Sequence, residues 1–127
     1  MSVQEEILRL GVDLISWHRI ERFLAEHSFE SLKRILAPSE QQVFQQSAHP
    51  AQSLARFFTA KEAAFKAEGG FWMDESDFRR IEILIKNDWE FTAHLHESEV
   101  FDDIKLEGRF FETPNGLGAR VNELDLA

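Results

Sequence analysis

The chain has no cysteine and no tyrosine, only three prolines among its 127 residues, and no apolar run of membrane-spanning length. Without cysteine there are no disulfides, no thiolate metal sites and no thiol nucleophile. That absence leaves the compartment open, although it is compatible with the cytoplasm. Met1 to Glu6 carries neither the basic start nor the apolar block of a signal peptide, so a cytoplasmic location without a membrane partner is expected. Cations are also scarce. Fourteen Lys and Arg against 23 Asp and Glu leave a net charge of −9, which argues against nucleic acid as a partner, because neutralising phosphates needs clustered Lys and Arg.

What the chain does have is apolar and aromatic mass. A hydrophobic content of 43%, with twelve Phe and three Trp, predicts a globular core built on aromatic packing. The length suits one domain over residues 1–127. Charge is uneven along it. Arg19, Arg22, Lys33 and Arg34 make residues 19–34 locally basic, which suits a solvated helix face and a docking surface equally.

Residues 7–15 read as a strand, with Ser16 capping a helix over Trp17–His27 and Ser28 capping a short helix that Pro38 stops after Leu36. Ser39-Glu40-Gln41-Gln42 fits a capping box for a helix running to about Ser47. Pro50 suits the first turn of a long helix of about 19 residues, ended by Gly69-Gly70. The second half alternates. Ile81–Ile85 and Phe91–Leu95 read as a hairpin turned at Asn87-Asp88, and Lys105–Glu112 and Leu117–Leu124 as two more strands joined through Pro114-Asn115-Gly116. Helices early and strands late predict an α+β fold on an antiparallel sheet.

Three features carry candidate chemistry. Glu62 and Lys66 are four apart in the long helix and so are surface neighbours, a spacing that by itself also stabilises an ordinary solvated helix. Asp13 sits inside the apolar run Gly11-Val12-Asp13-Leu14-Ile15, where a carboxylate is costly unless exposed, paired or bound to a cation. Asp13 and Glu62 are hard oxygen donors of the kind that suit Mg²⁺, and Lys66 is placed to meet the same phosphates. His94 and His96 share one face of a strand, but no third ligand stands at a sensible spacing, so a solvated sheet face is expected there.

The blocks Gly11-Val12-Asp13-Leu14-Ile15 with Arg19-Ile20, Arg34-Ile35-Leu36 with Ser39-Glu40, and Lys61-Glu62-Ala63 with Lys66-Ala67 together resemble the holo-acyl-carrier-protein synthases, the short 4′-phosphopantetheinyl transferases. The resemblance covers about half the chain and implies a helical half packed on an antiparallel sheet. It implies Mg²⁺ held by Asp13 and Glu62, with Lys66 and Glu62 catalytic. Lys66, Lys61 and Arg56 would bind coenzyme A as co-substrate, and Arg19 and Arg22 would dock an acyl carrier protein. A homotrimer and a place in lipid biosynthesis are implied as well.

The resemblance weakens after the central helix. Phe57 stands where the family has an Arg, with Arg56 one residue earlier, and Gly69–Glu75 places two acids near the expected phosphates. Lys86-Asn87-Asp88 replaces a Gly-Lys-Pro turn, and Arg109–Thr113 replaces a Ser-x-Ser/Thr-His stretch. Two readings follow: a transferase with a divergent coenzyme pocket, or a transferase-like domain kept as a binding or assembly module.

Overall fold

The computed structural model of the protein describes residues 5–68, 75–96 and 103–126. Strand β1 (Glu5–Ser16) leads into four helices, α1 (Trp17–Glu26), α2 (Phe29–Leu32), α3 (Pro38–Gln46) and α4 (Pro50–Ala67). A 3-10 turn at Glu75–Arg80 precedes β2 (Ile81–Ile85), β3 (Glu90–Leu95), β4 (Ile104–Thr113) and β5 (Gly116–Leu126). These strands form one antiparallel sheet in the order β1-β5-β4-β3-β2, so the α+β expectation holds. Gly69 and Gly70, expected to end α4, and the Phe71–Asp74 part of the expected coenzyme loop lie outside the described residues.

Local chemistry sets the helix starts. Ser16 Oγ accepts the Arg19 N–H at 3.1 Å and Ser28 Oγ the Ser31 N–H at 3.3 Å, so both expected caps form. The third does not. The cap of α3 is Ala37 rather than Ser39, and the Glu40 carboxylate takes the Ala37 N–H at 2.7 Å. Pro38 therefore opens a helix instead of ending one, because a first-turn residue needs no N–H.

The sheet has one dry face. Phe91, Ala93 and Leu95 of β3 are buried, while Thr92 and His94 between them are only half-buried. Ala93 pairs with Ile83 and Leu106, and Phe110 pairs with Ala119, which extends that face across the strands. Helix α4 lies against it with Leu54, Ala55, Phe57, Ala60, Ala63 and Ala64 buried. The alanines let the helix backbone come close, and Gly11 completes the fit. A Cβ on Gly11 would stand 1.8 Å from the Ala63 carbonyl oxygen and 2.6 Å from the Ala67 nitrogen.

Candidate active site

Asp13 is two residues from Gly11 and two from Ile15, so it shares their face of β1. The close approach at Gly11 therefore brings the C-terminal half of α4 beside the Asp13 carboxylate. Lys66 Nζ donates to Asp13 Oδ1 at 3.0 Å and to the Val12 carbonyl at 3.2 Å. Asp13 keeps only 15% of its side-chain exposure, whereas Lys66 keeps 50% and faces solvent with the rest of its ammonium. Glu62, half-buried, is one turn before Lys66 on the same stripe of α4.

One further turn back, Phe58 continues that stripe into an apolar cleft. The cleft holds about 200 Å³ and is lined by Ile15, Arg19, Ile20, Phe23, Ile35, Phe58 and Phe78. The Phe58 and Phe78 rings meet edge-on with centroids 6.4 Å apart. Ile15 plays the same part on β1 that Phe58 plays on α4, two residues from the carboxylate. Ile15 and Phe58 thus set this apolar cleft one step along β1 and α4 from Asp13, Glu62 and Lys66, none of which lines it. Sequence reasoning missed Phe58 as part of it, although its spacing of four from Glu62 was the available signal.

The two arginines expected to dock a partner are both exposed on α1. Arg19 lies at the rim of the apolar cleft, and Arg22 is 3.5 Å from Glu26 Oε1 at the surface. Lys33, from the same basic stretch, donates to Glu30 at 3.0 Å.

Two expected coenzyme-binding cations stand elsewhere. Arg56 precedes Lys66 by ten residues, about 15 Å along the helix axis. It lines a second cleft of about 270 Å³ with Trp17, Gln52, Asp88, Trp89, Glu112 and Leu117. Its guanidinium is 3.7 Å from Asp88 Oδ1 and 5.9 Å from the Phe110 ring centre. Lys61 is a correction. It is fully buried, pairs with Glu40 Oε1 at 2.7 Å, and donates to the carbonyls of Phe78 at 2.7 Å and Ile81 at 2.6 Å. With its three donors met inside the core, it has none to offer a coenzyme phosphate. Burial pushes its pKa down and pushes that of Glu40 up, and in each case the partner opposes the shift.

Residues 9–112 match the family described as the 4′-phosphopantetheinyl transferase superfamily. A holo-[acyl-carrier-protein] synthase of Halorhodospira halophila is 40% identical over 78 residues, which cover 61% of this chain and 62% of that protein. The match thus spans less than two thirds of that relative's length. The synthase of Yersinia enterocolitica is 34% identical over 91 residues, covering 72% of each. Among solved structures, the holo-[acyl-carrier-protein] synthase of Helicobacter pylori in complex with coenzyme A superposes with a TM-score of 0.67 at 23% identity, covering 93% of this chain and 99% of the other. With Lys66 of α4 set against Asp13 of β1 and the match running from β1 through β4, this chain belongs to the 4′-phosphopantetheinyl transferase superfamily, in its holo-acyl-carrier-protein synthase group.

Proposed function

We propose that the protein transfers the 4′-phosphopantetheine arm of coenzyme A to a serine of an acyl or peptidyl carrier protein, releasing 3′,5′-ADP. The observation that carries this reading is the Lys66–Asp13 contact of 3.0 Å, two residues along β1 from the Ile15 wall of the apolar cleft. A synthase of the same fold has been seen with coenzyme A.

Two carboxylates beside one ammonium fit a small, hard divalent ion, so Asp13 and Glu62 would hold Mg²⁺. When bound, Mg²⁺ supplies positive charge to the diphosphate and to the oxygen on which charge builds. The chain's own part is positioning and electrostatics. The serine Oγ attacks the β-phosphorus, the bond from that phosphorus to the bridging oxygen breaks, and 3′,5′-ADP leaves with the electron pair. Lys66 offsets the charge gathering on the former bridging oxygen of the leaving 3′,5′-ADP, while the serine proton passes to solvent. Arg56, in its separate cleft, would meet the coenzyme only far from the transferred group.

Carrier proteins of this type are acidic, so a chain at −9 repels them overall and needs a local basic face. Arg19 at the rim of the apolar cleft and Arg22 one turn along α1 supply one. A cytoplasmic homotrimer serving lipid biosynthesis completes the reading. The outer face of the sheet supports the trimer, since Leu10, Val12 and Leu14 are 54%, 42% and 57% exposed on one side of β1. Among the described residues no helix is long and apolar enough to cross a membrane.

One observation favours a second reading, the non-catalytic binding or assembly module. Asp88 and Glu112 stand in the cleft with Arg56, where phosphates would be repelled. The deciding experiment is intact-mass analysis of an apo carrier protein incubated with the chain, coenzyme A and Mg²⁺. A gain of one phosphopantetheine, lost with chelator and in Asp13→Ala, supports the transferase. No gain with several carriers, and no coenzyme binding, supports the module.

A further inference from the structure

On the face of the sheet turned away from Asp13, three side chains that no part of the transfer reaction uses converge at the β2–β3 edge. Glu82 pairs directly with His94 in the strand register, and His96 follows on the same face. The register is held there by the His96 N–H, which donates to the Arg80 carbonyl at 3.0 Å. A ligand atom of each of Glu82, His94 and His96 lies within 4.8 Å of the other two. His96 Nε2 is 3.0 Å from Glu82 Oε1, and the two imidazole centroids are 4.0 Å apart. The third ligand that the histidine pair lacked in sequence is thus supplied by the neighbouring strand.

We propose that Glu82, His94 and His96 form a zinc site that clips the edge strand β2 to β3. Two imidazoles and one carboxylate are a donor set suited to Zn²⁺, with the fourth position left to water. Bonds of about 2.0–2.1 Å place tetrahedral ligands roughly 3.4 Å apart, so the His96–Glu82 pair already has the separation. The ligand atom of His94 stands within 4.8 Å of both, so a side-chain rotation is the closure the site requires.

The surroundings support the set. Ser39 Oγ, from α3, donates to the other Glu82 oxygen, so the carboxylate is oriented with one oxygen toward the histidines. Asp103 Oδ2 is 3.1 Å from His94 Nε2, a carboxylate beside the ligand ring. The ligands keep 26–44% of their side-chain exposure, so an ion enters and leaves without opening the core. The site needs neither coenzyme nor carrier protein, and it stands whether or not the transferase reading does.

The test is calorimetric titration of the tag-free full chain with ZnCl₂ at about pH 7.5, where imidazole is neutral, with Mg²⁺ in excess to occupy harder oxygen sites. One equivalent should bind and raise the thermal midpoint. Glu82→Gln, His94→Ala and His96→Ala should each weaken binding by at least the ~10- to 100-fold that losing a supporting partner costs. In the unmutated protein, the imidazole ¹⁵N signals of His94 and His96 should shift on zinc addition while those of His18, His27 and His49 stay, a readout that no unfolded variant can confuse. Absence of binding, binding that survives all three substitutions, or shifts at the other histidines would overturn the proposal.

Discussion

Lys61 Nζ lies 2.7 Å from Glu40 Oε1 in an ion pair whose two side chains are almost wholly removed from water. The pair is a junction. Glu40 accepts the N–H of Ala37 at 2.7 Å and of Ile83 at 2.6 Å, capping α3 and satisfying β2, while Lys61 ties α4 to the carbonyls of Phe78 and Ile81. Removing either partner strands a buried charge, so Glu40→Gln and Lys61→Met should each cost about 3–5 kcal/mol in urea unfolding. The double variant should cost less than the sum. Additive losses would mean that the two groups act independently.

Glu40 also contributes a pH dependence of unusual sign, while Lys61, lowered by burial, contributes the opposite sign at higher pH. Burial raises the Glu40 pKa above its ordinary 4.5, and Lys61 only partly opposes this. A group raised in the folded state contributes stability that is full below its unfolded pKa and fades as pH rises through the folded one. Carboxyl ¹³C titration should therefore find Glu40 protonating above pH 4.5 in the folded protein. A midpoint below that value would contradict the burial argument.

Lys66 stands in contrast, because its pair with Asp13 is half open to solvent. Lys66→Ala should cost at most about 1 kcal/mol of stability, as exposed pairs do. Its transfer rate should nevertheless fall by roughly 10²–10³, the loss that follows removal of one transition-state donor. Single-turnover mass spectrometry would measure it, and a wild-type rate would reduce Lys66 to a surface partner of Asp13.

Gly11 is where one methyl group would force β1 and α4 apart. Gly11→Ala would press its Cβ against the Ala63 carbonyl, and backbone cannot yield as a side-chain tip does. A loss of about 3 kcal/mol or more is expected, at or above the upper end of ordinary overpacking. Thermal unfolding should show it together with lost transfer, since α4 must lift away from Asp13.

Charge reversal at Arg19 or Arg22 should raise KM for the carrier protein more than for coenzyme A, and the effect should shrink with added salt. Equal changes for both substrates would remove the docking face. Leu10→Ser with Leu14→Ser should lower the sedimenting mass of the assembly if the outer face joins subunits, and an unchanged mass would point to another interface.

Elements whose signals lie within a few residues were legible in the chain itself. Ser16 and Ser28 cap as expected, and β2 over Ile81–Ile85 falls where its alternation put it, because caps and periodicity act over one turn or one pleat. The same holds for Glu62 and Lys66 as neighbours. Tertiary structure decided everything that depends on which face meets what. Lys61 and Lys66 are five residues apart on one helix and so about 140° apart around it. One is sealed against Glu40 and the other reaches Asp13, a difference set by the elements packed on each side and not by the lysines. Likewise His94 and His96 gained Glu82 only when β2 paired with β3, since a partner on another strand leaves no mark in the spacing of the first.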